Sequence, residues 1–139
     1  MNHQVKVFQA SPARIKGLRI IAALGALSFV LGLFLDPERA WGGYLMGFEY
    51  FVQLALAGGL FLSVLTLSSA RWATAMRRIP EAMTTGLPWA FGMGLLLLGG
   101  ISTLYEWSHE AVVEADPVLQ GKSAYLNGAF FFVRMAVFF

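Results

Sequence analysis

Apolar and polar positions along the chain alternate in long blocks rather than residue by residue. Residues 18–35 form a first apolar run, residues 42–69 a second and residues 87–107 a third, each separated from the next by a short charged segment. A helix rises about 1.5 Å per residue, so roughly 20 apolar residues cross a hydrocarbon core of about 30 Å. Each of the three runs meets or nearly meets that length. A fourth begins near Tyr125-Leu126-Asn127 and is still apolar at Phe139. It is too short for a complete span and lacks the polar flank that usually closes one. The pattern predicts an all-α, polytopic membrane helix bundle: a single membrane domain over residues 1–139, with helices at about 18–35, 42–69, 87–107 and 124–139. The fourth is read as truncated, and the chain as the first part of a longer membrane protein. A mature small subunit whose last helix ends among neighbours is the competing reading. The period-two alternation of barrel strands is absent, as is any internal repeat.

The boundaries carry signals of their own. Asp36-Pro37-Glu38-Arg39 makes a turn between the first two runs, Pro80 interrupts the helix pattern after the second, and Leu87-Pro88-Trp89 opens the third. Proline suits a first helical turn, and tryptophan a membrane interface. A cleaved signal peptide is the alternative for the first run, but the run exceeds a usual apolar core and no small-residue cleavage site follows it before Asp36.

Charge orients the spans. Lys6, Arg14, Lys16 and Arg19 precede the first span, and Arg71, Arg77 and Arg78 stand with Glu81 between the second and third. Glu106, Glu110, Glu114 and Asp116 face a lone Lys122 after the third. Positive charge gathers on the cytoplasmic side, so the N-terminus is expected inside. The composition agrees: 58% hydrophobic, 14% aromatic and 13% charged. Those figures exclude an ordinary soluble domain and a disordered chain. With no cysteine, the chain offers no disulfide, thiolate zinc site or iron–sulfur cluster of its own. The excess of basic residues is topological, so nucleic acid is not an expected partner. The expected partners are the lipid bilayer and neighbouring helices.

Helices in lipid associate through small residues that let backbones approach. Ala22, Gly25, Ser28 and Gly32 line the first helix, Ala55 and Gly59 the second, and Gly92, Gly99 and Gly100 the third. The plainer reading is that glycine is simply common in membrane helices.

Ionisable residues at membrane depth are costly and therefore informative. Glu49 lies eight residues past Trp41 and Arg134 eight past Leu126, each roughly 12 Å in on two inward-running helices. A Glu49–Arg134 contact, direct or through water, is expected, with Gln53 one turn from Glu49 extending the strip. Glu49, Gln53 and Arg134 are the candidates for a proton path or a quinone headgroup pocket, the alternative being an ion pair that only sets helix register. Arg77, Arg78 and Glu81 form the candidate cytoplasmic rim. That rim could hold anionic lipid or a cytoplasmic partner, or serve as an ordinary topological anchor. His3 and His109 lie outside the spans, so a haem held by this chain is not expected, nor is a metal site. No nucleophile elbow, catalytic triad or phosphate-cradling loop is present, so no catalytic residue is assigned.

Several short patterns occur in one order: Ala70-Arg71-Trp72 leading into Met76-Arg77-Arg78-Ile79-Pro80-Glu81-Ala82-Met83, then Leu104-Tyr105-Glu106-Trp107, then Lys122-Ser123-Ala124-Tyr125-Leu126-Asn127 with Phe130-Phe131-Phe132-Val133-Arg134. From Trp41 onward this resembles the N-terminal part of the large NrfD-like membrane subunit of bacterial alternative complex III, a quinol:cytochrome c oxidoreductase. The resemblance implies a larger subunit of about ten helices in the bacterial inner (cytoplasmic) membrane, involved in quinol oxidation and proton translocation. It also implies partner subunits that carry c-type haem and iron–sulfur clusters, with quinone or quinol as the ligand, no cofactor bound by this chain and no enzymatic activity of the chain alone. A small structural or assembly subunit without redox or transport role is the alternative; half of a small transporter is weaker, since no second broken helix creates a midplane site.

Overall fold

In the computed structural model, residues 11–69, 74 and 76–139 are described. The described residues are helical and contain no strand, and three helices are long and apolar enough to cross a membrane, joined by a shorter apolar one. The chain is a multi-pass membrane protein by this architecture. The N-terminal tail with Lys6 and His3, and the Arg71-Trp72 part of the basic loop, lie outside the described residues.

Helix α1 spans Pro12–Leu35 and begins six residues before the apolar run, because Pro12 sits in the first turn and the basic Arg14 and Lys16 continue the helix outward. Asp36 alone separates it from α2, Pro37–Leu67. Its backbone N–H donates to the Gly32 carbonyl at 2.8 Å, closing α1, while its carboxylate accepts from the Arg39 N–H at 3.2 Å and opens α2. One acidic residue thus reverses the chain, as the Asp36-Pro37 signal predicted.

The third span covers Arg78–Leu104 and is assembled from pieces: α3 (Arg78–Thr84), α4 (Leu87–Leu97), a 3₁₀ turn (Leu98–Gly100) and α5 (Ile101–Leu104). Pro80 does not interrupt a helix. It occupies the first turn of α3, where its missing N–H would have had no partner, and so marks a beginning rather than an end. The unbroken helix predicted over residues 87–107 is likewise replaced by a segmented one. The tight turn falls on Gly99-Gly100, and a Cβ on Gly100 would land inside the Trp41 indole of α2. Tyr105 is extended (φ −127°, ψ 117°) and ends the span.

The acidic connection contains two short helices, α6 (Glu110–Ala115) and α7 (Pro117–Gly121), the second opened by the Asp116 side chain accepting from the Val118 N–H at 2.8 Å. The last helix, α8, runs Gly128–Phe138, starting four residues later than predicted because Asn127 caps it: its side-chain oxygen accepts from the Phe130 N–H at 2.8 Å.

Two stripes of small and apolar residues meet to form the core. Val52, Ala55 and Gly58 on α2 recur every three residues, and Ala90, Gly94, Leu97 and Gly100 on the third span every three or four. The two run antiparallel: Gly58 lies against Pro80 and Met83, Gly86 against Phe51, Gly94 against Phe48, and Gly99 and Gly100 against Trp41. The Tyr44 hydroxyl donates to the Met93 carbonyl at 2.7 Å, a cross-helix bond typical of a lipid setting. Helix α8 closes onto this pair through Met135 at Gly94 and through Phe139, whose ring is 6.3 Å from that of Phe48 and 6.2 Å from that of Phe91. Helix α1 buries no residue and is held by Phe29, which packs at 5.3 Å on Trp41 and 5.1 Å on Tyr44. Of its predicted small-residue stripe, Gly32 approaches Ala40, while Gly25 has open space beside it.

Candidate functional site

Glu49 and Gln53 sit one turn apart on α2, and the Gln53 amide Nε2 donates to the Glu49 Oε1 at 3.0 Å. The predicted polar strip therefore exists as a hydrogen-bonded pair. At 100° per residue both side chains project away from the Val52-Ala55-Gly58 stripe, and both are exposed. Glu49 is twelve residues beyond Pro37, about 18 Å along a helix that crosses the bilayer. A carboxylate at that depth is costly against lipid and cheap only beside water or a polar neighbour.

Tyr105 feels the charge of this pair, and residue-by-residue reading of the spans did not single it out as a site residue. It follows Leu104 at the end of the third span, and its phenol is pushed above its ordinary value, first by burial and then by the negative charge of Glu49. The Tyr105 ring stacks on Trp107 at 5.2 Å and meets Phe131 at 5.9 Å, so the end of the third span is tied to α8 by aromatic contact. The effect of Glu49 on Tyr105 depends on how two helices meet, which no local pattern carries.

Arg134 goes elsewhere. Its guanidinium lies 4.0 Å from the centroid of the Tyr125 ring and 5.1 Å from that of Phe130. Among the described residues the ion pairs are Arg39–Asp36 and Arg77–Glu81, and the direct Glu49–Arg134 contact predicted from matched depth is not formed. Depth was the available argument, and rotation decides the matter. Phe131, Met135 and Phe139 form the inward stripe of α8, with Met135 buried, and Arg134 stands one residue, or 100°, away from Met135. Long helical side chains lean toward the preceding turn, which carries the guanidinium back over Phe130 and Tyr125.

At the opposite end of α2, Arg77 Nε lies 2.9 Å from Glu81 Oε1, an exposed pair one turn apart. Arg78, the first residue of α3, is exposed and makes no side-chain hydrogen bond or ion pair among the described residues. His109 is exposed in the acidic connection, with its Nε2 2.8 Å from the Ser102 carbonyl oxygen. Among the described residues no three His, Asp or Glu side chains are grouped as metal ligands. No protein-family model matches the chain, and no curated protein matches it.

Proposed function

We propose that this chain is an integral membrane subunit of a respiratory quinol:electron-acceptor oxidoreductase of the alternative complex III type, supporting quinol oxidation and proton translocation. The observation that carries the reading is the Glu49–Gln53 hydrogen bond on an exposed face of a spanning helix, with Tyr105 within reach of the carboxylate's charge. The carboxylate is an acceptor held by the Gln53 amide, and the Tyr105 phenol, which feels its charge, supplies a hydroxyl. That set suits handing protons inward from an outer surface or hydrogen-bonding a quinol hydroxyl. The ordered motifs around Arg77, Tyr105 and Arg134 support the same family. On this reading the redox centres, c-type haem and iron–sulfur clusters, belong to partner subunits. The chain lies in a bacterial inner membrane with its N-terminus cytoplasmic and is not an enzyme alone.

Glu49→Gln in the assembled full-length complex tests it. Proton uptake coupled to quinol oxidation should fall by about a hundredfold, the scale of a lost acid–base group, while the complex still assembles. Unchanged coupling would favour a small structural or assembly subunit whose polar residues only orient helices. The engagement of Arg134 with Tyr125 and Phe130 rather than Glu49 is the observation on that side.

A further inference from the structure

Where α3 packs against the later part of α2 there is an apolar slot. Ala57, Gly58 and Phe61 form one wall and Met76, Ile79, Pro80 and Met83 the other of an open groove of about 270 Å³ with an apolar lining. The two walls are locked at Gly58, which lies directly against the Pro80 carbonyl and the Met83 side chain.

Its depth follows from the helix that bears it. Gly58 is twenty-one residues beyond Pro37, about 31 Å along α2, which is one hydrocarbon thickness from the Asp36–Pro37 turn. Helix α2 has 31 residues, about 46 Å in all, so it overshoots the core, and the basic segment folds back to pack at the level where hydrocarbon gives way to headgroups. Met76 and Ile79, two of the slot's lining residues, bracket Arg77 and Arg78 in the chain. Arg77 is engaged by Glu81, whereas the Arg78 charge is exposed and unmatched among the described residues.

We infer that this slot and Arg78 together form a binding site for an anionic phospholipid, an acyl chain lying in the slot and the phosphate meeting Arg78. Lining and charge select that occupant: the slot is apolar, which suits a hydrocarbon chain, and the exposed Arg78 adjoins Ile79 of its wall. A neutral isoprenoid would gain nothing from the arginine, while a phosphodiester gains a charge-assisted contact.

The test is lipid retention by the full-length protein. It is reconstituted in nanodiscs of equal phosphatidylglycerol and phosphatidylcholine, extracted into detergent, and the lipid kept per protein is counted by native mass spectrometry. The wild type should keep phosphatidylglycerol over phosphatidylcholine. Arg78→Gln should reduce that preference about fivefold, the effect of one arginine at an anionic surface, and Arg78→Lys should largely restore it. Ala57→Phe, which fills the slot, should lower retention of phosphatidylglycerol with the helical circular dichroism unchanged. Ala57→Leu gives the same reading with a smaller side chain. Equal retention of the two lipids by the wild type, or by wild type and Arg78→Gln alike, would overturn the site. So would full retention in both slot-filled variants, which would leave only a headgroup on a charged surface. Displacement of the lipid by inorganic phosphate would identify a free-anion site and overturn it equally.

Discussion

Gly58→Ala separates a close approach of α3 to the α2 backbone from the general effect of removing a glycine. A Cβ built on Gly58 would stand 2.7 Å from the Met83 Cβ and 2.7 Å from the Pro80 carbonyl oxygen. Neither neighbour is the mobile end of a long side chain, so relief requires α3 to move away from α2. Such overpacking typically costs about 1–3 kcal/mol. Gly92 provides the reference, because a Cβ there meets nothing within 4 Å. Alanine in a helix interior is intrinsically favoured over glycine by about 0.5–1 kcal/mol, and that gain is common to both sites. The difference between the two variants therefore reports the collision alone: Gly58→Ala should be about 1–3 kcal/mol less stable than Gly92→Ala, roughly a 5- to 150-fold shift in the folding equilibrium. Gly59→Ala, whose Cβ would meet Thr84 Cγ2 at an ordinary 3.6 Å, should resemble Gly92→Ala. Reversible unfolding in mixed micelles, followed by tryptophan fluorescence, gives the three stabilities side by side. Equal stability of the Gly58 and Gly92 variants would refute the argument that α3 is locked onto α2 at this point.

Two further outcomes follow from local geometry. Asn127→Ala removes the acceptor for the Phe130 N–H and should cost about 0.5–2 kcal/mol, seen as faster amide hydrogen exchange in the first turn of α8 with the α2 amides unaffected. The Tyr105 phenol is held above its ordinary value by burial and by Glu49, so the folded state keeps its proton while the unfolded state releases it. Its contribution to stability is complete below pH about 10 and is lost as pH rises through the higher folded value. Phenolate absorbance, with Tyr105→Phe subtracted, should show Tyr105 ionising late, and Glu49→Gln should bring it only part of the way back, since burial is the larger cause. An unchanged titration in Glu49→Gln would contradict their proximity.

What the sequence alone determined is the set of spans and the devices at their ends. Whether roughly 20 consecutive residues are apolar is a local, additive property, so residues 18–35, 42–69 and 87–107 foretold α1, α2 and the third span without knowledge of their neighbours. The Asp36-Pro37 reversal and the Glu49–Gln53 pairing were equally local, one a cap and the other a contact one helical turn long. Pro80 was legible as punctuation but not as a start, because the same proline fits either reading until the position of its neighbours is known.

The tertiary structure decided how each helix is turned about its axis. One residue changes a side chain's direction by 100°, so Arg134 and Met135 exchange core for flank according to which of them meets Gly94, and matched depth with Glu49 says nothing about that. Gly58 rather than Gly59 became the point of contact, and Gly100 opened the third span to the Trp41 indole, for the same reason. Lipid supplies no hydrophobic preference for one helix face over another, so rotation is set by the mutual fit of two surfaces, which neither sequence segment holds by itself.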